Sequence, residues 1–142
     1  MHERLCFKIE ELNLITNKSG LNKKIDVASS KKYGVIASSS AYNYAHDVIK
    51  FNNLDVDILK LGFSYPFPDK LVREFLKDLD EVFIVEEIDP IIEKDTLACI
   101  GQNELDVTIH GKLDNTFPRC MEFNSKASES VKKQIDFKGG IR

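Results

Sequence analysis

The chain has 142 residues, of which 42% are hydrophobic and 30% are charged, and its formal net charge is −3. This length suits one domain of ordinary size built around a single core. Because the sequence has no apolar run near the roughly 20 residues that span a bilayer, and has charges where a secretion signal would be apolar, we predict a cytoplasmic protein without membrane contact.

The charge is unevenly distributed along the sequence. Residues 1–32 sum to +3, residues 33–124 to −9 and residues 125–142 to +3. Nucleic-acid binding requires a basic surface on the folded part of a protein, which displaces counterions from phosphates. The acidic middle therefore predicts no nucleic-acid partner and favours a protein partner with a cationic surface.

The first predicted element is an amphipathic helix over residues 3–15, where apolar and charged side chains recur near helical spacing. The polar stretch from Leu21 to Lys32 is predicted to be a connecting arm, kept in solvent by its lysines. Residues 1–32 thus form an N-terminal helix and linker arm.

Four apolar segments then alternate with helical patterns. The predicted strands, the last of them near a sheet edge because it alternates with polar residues, are 33–37, 56–61, 82–85 and 105–109. The first helix between them ends near residues 51–53, the second opens at Pro68, and the third starts at Asp89-Pro90 and reaches about Cys99, with Gly101 as its C-cap. Residues 112–124 are predicted as loop and 126–135 as a last helix.

Alternating strands and helices predict an α/β fold. We expect a three-layer sandwich in which a mainly parallel sheet of four or five strands has helices on both faces. This domain would span residues 33–135, followed by a flexible tail over 136–142.

In such sheets ligands and partners gather at the carboxyl ends of the strands. That edge is predicted to present Ser38 to Ser40, Gly62 to Tyr65, Glu86 with Glu87, and His110 with Gly111.

No motif for cofactor binding stands out in the sequence. It has no G-x-G-x-x-G, no P-loop and no Gly-Asp-Gly. Cys6, Cys99 and Cys120 are isolated thiols, so we predict neither a metal or cluster site nor a disulfide. The three histidines, His2, His46 and His110, are interpreted as structural or surface residues.

Two polar clusters leave alternatives open. Ser38, Ser39 and Ser40 suit either N-capping of the following helix, which we favour, or an anion held by backbone N–H groups. Glu86 and Glu87 suit either a paired-carboxylate site or contact with a partner. Adjacent strand residues point to opposite faces, which favours the contact. The Tyr65-Pro66 bond is expected to be trans.

The sequence resembles the α subunit of indolepyruvate:ferredoxin oxidoreductase. The resemblance is carried chiefly by Leu59 to Pro68 and by Val85-Glu86-Glu87 with Asp89-Pro90. It covers most of the chain and corresponds to the family's middle domain, which is of the kind found at the C-terminus of transketolases. Ser39-Ser40 departs from the family, which more often has a glycine and a branched residue there.

The resemblance implies an enzyme that oxidatively decarboxylates aryl pyruvates to aryl acetyl-CoA and reduces ferredoxin. Its thiamine diphosphate, magnesium and 4Fe-4S clusters would belong to other parts of the enzyme, and this chain would bind no cofactor. Its partners would be the other domains of the same subunit and the beta subunit, with ferredoxin and CoA serving the whole enzyme.

By this resemblance the chain would be a non-catalytic domain that makes contacts between domains and serves assembly of the enzyme. The candidate contact residues are Ser38, Ser39, Ser40, Tyr65, Glu86 and Glu87, and we expect both carboxylates to be hydrated in the isolated chain. The alternatives are the equivalent domain of another 2-oxoacid:ferredoxin oxidoreductase or of a transketolase-like enzyme, and a free-standing module that binds a small anion.

Overall fold

The structure is a computed structural model that describes residues 2–26, 32–118, 129 and 132–134. The helices are α1 (His2–Lys18), α2 (Ser39–Phe51), α3 (Asp69–Leu76) and α4 (Ile91–Asn103). The strands are β1 (Lys23–Ile25), β2 (Tyr33–Ser38), β3 (Asp57–Leu61), β4 (Glu81–Val85) and β5 (Thr108–His110). Residues 129 and 132–134 are helical, and the remainder of the predicted last helix and the predicted tail over 136–142 lie outside the described residues.

The strands form one sheet in the order β1-β3-β2-β4-β5. Strands β2 to β5 run parallel to one another, whereas β1 pairs with β3 antiparallel. In the register of the central strands, Val35 lies between Ile58 and Phe83. The predicted mainly parallel sheet is confirmed, with β5 at an edge.

Alternate residues of each central strand face opposite sides of the sheet. Val35 and Ala37 belong to a core cluster on the side of α2, and Ile36 belongs to a second cluster on the side of α3 and α4. Burial of each large apolar side chain in these clusters contributes about 1.5–3 kcal/mol. Helices therefore cover both faces, as the predicted three-layer sandwich requires.

The predicted connecting arm contains a strand, so this interpretation is wrong for part of the segment. Lys23–Ile25 is β1, and Ile25 pairs with Ile58 of β3. The strand could not be recognised from its two lysines, because charged side chains in solvent are compatible with an edge strand as well as with an arm. Residues 27–31 of the arm lie outside the described residues.

The ends of two later elements also differ from the prediction. Helix α4 continues past Cys99 to Asn103, so Gly101 lies inside the helix and Glu104 takes the left-handed C-cap conformation, with φ 51°. Pro90, rather than Asp89, occupies the N-cap position. Strand β5 is limited to Thr108–His110.

Helix α1 is attached to the domain through amide side chains. Asn17 Oδ1 accepts the backbone N–H of Leu71 at 3.0 Å, and Asn17 Nδ2 donates to Asp69 Oδ1 at 3.2 Å. Asn13 Nδ2 donates to the carbonyl oxygen of Phe67 at 3.1 Å. Because the first turn of a helix has unpaired N–H groups, Asn17 of α1 serves as a cap for α3.

Candidate functional site at the carboxyl edge of the sheet

The carboxyl ends of the four parallel strands meet at one edge of the sheet. We call residues 38–40, 62–68, 86–91 and 110–113, which follow or end β2, β3, β4 and β5, the carboxyl edge. All six predicted contact residues lie in it.

The turn from β2 into α2 is made by a serine in a left-handed conformation. Ser38 occupies the N-cap position with extended backbone, but its hydroxyl makes no capping hydrogen bond. The predicted side-chain capping is therefore wrong for Ser38. Ser39 has φ 53° and its side chain is exposed. A left-handed backbone costs a non-glycine residue roughly 1–2 kcal/mol.

The loop after β3 contacts residues of the N-terminal segment. The backbone N–H of Phe63 donates to Asn22 Oδ1 at 2.8 Å, and an added Cβ at Gly62 would lie 2.7 Å from the carbonyl oxygen of Leu21. This close approach requires glycine. In the same loop, Tyr65 is 75% exposed.

The peptide bond between Tyr65 and Pro66 is cis, so the expected trans bond is wrong. The trans form of an X–Pro bond is favoured by only about 0.5–1 kcal/mol, which the closure of a loop with fixed ends can outweigh. Pro66 is buried although Tyr65 beside it is exposed.

Glu86 is an internal cap for α4. Its Oε2 atom accepts the backbone N–H groups of Ile91 at 3.0 Å and Ile92 at 2.8 Å, and its Oε1 atom accepts that of Glu93 at 3.0 Å. Only 5% of the residue is exposed. The expectation that Glu86 is hydrated in the isolated chain is therefore wrong, because Pro90 at the N-cap has no capping group and Glu86 supplies one.

The environment of Glu86 affects its ionisation in two directions. Burial raises the pKa of Glu86 above its usual range, and this outweighs the three amide hydrogen bonds and the charge of Lys112, which lower it.

The next residues point into solvent. Glu87 and Asp89 are exposed, and Ile88 is 71% exposed with φ 60°. Neighbouring Glu86 and Glu87, which both follow the end of β4 at Val85, are thus buried and exposed respectively. A β-branched residue with positive φ is uncommon and strained, so the surrounding structure must hold this loop in place.

Buried charged residues provide that support. Lys112, 4% exposed, donates from Nζ to the carbonyl oxygen of Ile88 at 2.7 Å. Glu93, 1% exposed, accepts the backbone N–H groups of Lys112 at 2.7 Å and Leu113 at 3.1 Å. An added Cβ at Gly111 would overlap the Glu93 carboxyl group. We call Glu86, Glu93 and Lys112 the buried frame of the carboxyl edge.

His110 is bonded on both sides by carboxylates. Its Nε2 atom lies 2.7 Å from Glu81 Oε2 and its Nδ1 atom 2.9 Å from Asp114 Oδ2. Each ring nitrogen thus lies within hydrogen-bond distance of a carboxylate oxygen. The ring packs against Phe83 with a centroid distance of 5.1 Å, which gives His110 a structural role.

Asp114 is stabilised in its ionised form. Partial burial acts to raise its pKa, but hydrogen bonds from His110, the amides of Gly111 and Thr116 and the Thr116 hydroxyl lower the pKa of Asp114 to about 2.

The carboxyl edge does not fit a thiamine diphosphate. Its exposed charged side chains are Glu87 and Asp89, which would repel a diphosphate, and its lysine, Lys112, is buried and donates to a backbone carbonyl. Within the described part of the chain no group of three or more His, Cys, Asp or Glu side chains could hold a metal ion. Cys6 is exposed and Cys99 buried, both as free thiols, and Cys120 lies outside the described residues.

These observations define the class of the protein: an open, mainly parallel α/β domain whose carboxyl edge presents apolar and acidic side chains on a buried polar frame. No helix in the described ranges is long and apolar enough to cross a membrane. No family model matches the chain.

Curated relatives with one shared name match almost the whole chain. The indolepyruvate oxidoreductase subunit IorA of Methanothermobacter thermautotrophicus is 45% identical over 124 residues, which are 87% of this chain and 20% of the relative. The IorA subunit of Methanothermobacter marburgensis is 41% identical over 142 residues, covering 100% of this chain and 22% of the relative. That of Pyrococcus horikoshii is 34% identical over 134 residues, 93% of this chain and 20% of the relative.

The chain belongs with the IorA subunits and spans about one fifth of their length. Among solved structures, a de novo designed Rossmann fold protein is similar with a TM-score of 0.43 and 13% identity, over 78% of this chain and 99% of that one. That likeness is too distant to bear on function.

Proposed function

We propose that this chain is a non-catalytic inter-domain and assembly domain of an indolepyruvate:ferredoxin oxidoreductase. The observation that carries the proposal is the similarity along most of the chain to one fifth of IorA subunits. In the proposed whole enzyme, the other parts hold thiamine diphosphate, magnesium and 4Fe-4S clusters and decarboxylate aryl pyruvates in the presence of CoA and ferredoxin. The enzyme works in the cytoplasm.

The proposed contact surface is the carboxyl edge. Tyr65 and Glu87 are exposed on loops whose backbone is fixed by internal hydrogen bonds, so their positions are set before a partner binds. An exposed aromatic side chain on the same edge of the sheet as exposed carboxylates suits a partner surface with an apolar centre and Lys or Arg at its rim. Ser38, Ser39 and Ser40 lie on the same edge and are included in this contact surface.

In this proposal Glu86 does not contact the partner but positions the residue that does. It caps α4 and so positions the strand end from which Glu87 extends. The partner is another domain of the same subunit or the beta subunit.

The experiment that tests the proposal has two arms. In the first, the purified chain is assayed for indolepyruvate-dependent dye reduction with thiamine diphosphate, magnesium and CoA, and we expect no turnover above buffer. In the second, this sequence replaces the corresponding segment of the Methanothermobacter marburgensis IorA subunit, which it matches over all 142 residues. The chimaera, expressed with its partner subunit, is expected to retain turnover.

The control for the second arm is the same subunit with an unrelated α/β domain in place of the segment, which should be inactive. Turnover by the chain alone would contradict the non-catalytic role. A chimaera that folds and assembles but does not turn over would contradict the assignment to this enzyme.

A further inference from the structure

We propose that Ile88, Ile91 and Leu113 form the apolar centre of the docking contact and enter an apolar pocket, flanked by Lys or Arg, on another domain of the same subunit. We call these three residues the apolar tip of the carboxyl edge. The inference rests on the proposed function and deepens it, because it names the anchoring residues, the chemistry of the partner surface and the polypeptide that supplies that surface.

The apolar tip consists of large apolar residues that lie in solvent. Ile88 is 71% exposed, Ile91 is 62% exposed and Leu113 is 43% exposed. They lie in the segments that follow the neighbouring strands β4 and β5. Single exposed apolar residues are ordinary, whereas several of them in one patch mark an interaction surface.

Each residue of the apolar tip is bonded through its backbone to one member of the buried frame. The pairs are Ile91 with Glu86 at 3.0 Å, Leu113 with Glu93 at 3.1 Å and Ile88 with Lys112 at 2.7 Å. The frame is itself connected, since Glu86 accepts the N–H of Glu93 at 3.0 Å and Glu93 accepts that of Lys112 at 2.7 Å. The three exposed residues are therefore held close together at one place on the carboxyl edge.

Ile88 has a strained backbone in addition to its exposure. Its φ is 60°, although its side chain is branched at Cβ. Strain of this kind persists at functional sites, where the surrounding bonds over-determine the conformation. The bond from Lys112, which is 4% exposed, is one of these constraints. Because the exposed side chain of Ile88 offsets none of this strain inside the chain, we infer that it makes its contact outside the chain.

The charges around the apolar tip define the chemistry of its partner. Glu87 and Asp89 are exposed and flank Ile88 in the sequence, and residues 33–124 sum to −9. A complementary surface has an apolar pocket for Ile88 and places Lys or Arg opposite the two carboxylates. Nucleic acid and anionic lipid do not fit, since the carboxylates would repel their phosphates.

A partner surface in the same polypeptide is favoured over a separate molecule. The 142 matched residues are 22% of the Methanothermobacter marburgensis subunit, so more than three quarters of that subunit is linked covalently to the matched segment. Linkage gives a high effective concentration. A linked surface therefore occupies the edge in preference to a free molecule with the same contacts.

Hydroxyl-radical labelling read by mass spectrometry tests the inference. Tyr65 and Ile91 report on the carboxyl edge, and Phe51, 83% exposed at the end of α2, is the reference. The samples are this chain, the chimaeric full-length subunit alone and that subunit assembled with its partner subunit, with the radical dose fixed by an added reporter peptide. We expect Tyr65 and Ile91 to react at least five-fold more slowly in both subunit samples than in this chain, and Phe51 to change by less than two-fold.

Ile88→Asn tests the anchoring role, because Asn tolerates positive φ and keeps the loop conformation while the apolar side chain is removed. In this chain alone, the variant should unfold at a urea concentration no lower than the parent does. In the subunit, the reactivity of Ile91 should rise at least five-fold. Phe51→Asn is the matched control and should leave the reactivity of Ile91 within two-fold.

Glu87→Lys combined with Asp89→Lys tests the charge of the partner surface. The new cations would face the proposed Lys or Arg, so the reactivity of Ile91 in the subunit should again rise at least five-fold. The control is Asp78→Lys combined with Asp106→Lys, at two exposed positions that precede β4 and β5, which should leave Ile91 protected. Protection that survives the first pair of substitutions would overturn the proposed partner chemistry.

Other occupants give distinct results, and each of them would overturn the proposal. Protection of Ile91 in this chain alone that increases with concentration would indicate a second copy. Protection that appears only in the assembled complex would place the contact on the partner subunit. Equal loss of reactivity at Ile91 and Phe51 would indicate a general effect rather than docking of the edge.

Tyr65 separates this inference from the proposed function. If Tyr65 is protected in the subunit but Ile91 is not, or if Ile88→Asn leaves both protected, the carboxyl edge docks as proposed and only the role of the apolar tip is wrong. If neither residue is protected in the subunit or in the assembled complex, the proposed contact surface is wrong as well.

Discussion

Glu86 Oε1 accepts the backbone N–H of Glu93 at 3.0 Å, and this bond joins the end of β4 to the first turn of α4. The Glu93 side chain in turn accepts the backbone N–H of Lys112 at 2.7 Å, beyond the end of β5. Two buried carboxylates thus connect two strand ends through one helix. The exposed Glu87 and Ile88 are held by this connection.

Glu86→Gln is expected to destabilise the chain by about 1–3 kcal/mol, because both oxygens of Glu86 accept N–H groups and the amide nitrogen of Gln cannot. Urea unfolding followed by circular dichroism measures the change. Glu87→Gln is the matched control and should lie within about 0.5 kcal/mol of the parent chain, since Glu87 is exposed. Equal effects of the two substitutions would show that Glu86 is not a cap.

Alanine at two glycines should change stability in opposite directions. Gly111→Ala places a Cβ against the Glu93 carboxyl group and is expected to cost about 1–3 kcal/mol. Gly101→Ala, inside α4 with nothing within 4 Å of the added carbon, should stabilise by about 0.5–1 kcal/mol. Thermal unfolding of both variants gives the comparison. If Gly101→Ala destabilised the chain, that result would support the role of Gly101 as a C-cap, which the sequence predicts.

Ser39→Gly should stabilise the chain by about 0.5–1 kcal/mol, because glycine adopts φ 53° without strain. The greater conformational freedom of glycine in the unfolded chain offsets part of this stabilisation. Ser40→Gly, at a helical position with ordinary φ, should instead destabilise slightly. Both are compared with the parent chain by urea unfolding. A loss of stability in Ser39→Gly would mean that the Ser39 side chain contributes more than its backbone strain costs.

Acid should remove the stabilisation that Asp114 provides. Its folded pKa, about 2, is lower than the ordinary 3.8, so the stabilisation is present above about pH 4 and is lost as the pH falls through about 2. Because 38% of the side chain is exposed, solvent screening limits the contribution to about 1 kcal/mol. Asp114→Asn should therefore be less stable than the parent chain near pH 6, and the gap should shrink near pH 2.5. A gap that is the same at both pH values would contradict the ionised pairing with His110.

The order of elements from Tyr33 onward could be predicted from sequence, because buried strands and amphipathic helices have different apolar periods. Strand β1 could not, since Lys23 and Lys24 are compatible with either an arm or an exposed edge strand. The end of α4 was misplaced for a similar reason. Gly101 is a common stop signal, yet the left-handed position is taken by Glu104, whose type gives no such signal.

The candidate site was predictable as a location but not in its contacts. Parallel strands bring Tyr65 and Glu87 to one edge whatever the side-chain details, so the edge follows from the topology. The difference between the buried Glu86 and the exposed Glu87 does not follow from the topology, because it depends on how α4 packs behind β4. Asn13 and Asn17 carried a usable signal: two amides four residues apart on one helix side favour polar contacts for that side.

In the proposed role, the carboxyl edge docks another part of the enzyme without taking part in its chemistry. The most direct test is Tyr65→Ala combined with Glu87→Gln in the chimaeric full-length subunit, with subunit association measured by sedimentation and turnover measured per assembled complex. If the carboxyl edge docks on the beta subunit, we expect association at least ten-fold weaker, about 1.4 kcal/mol, while kcat of the assembled complex stays within two-fold. Unchanged association would contradict docking on the beta subunit, and loss of kcat in a complex that assembles fully would contradict a role apart from the chemistry.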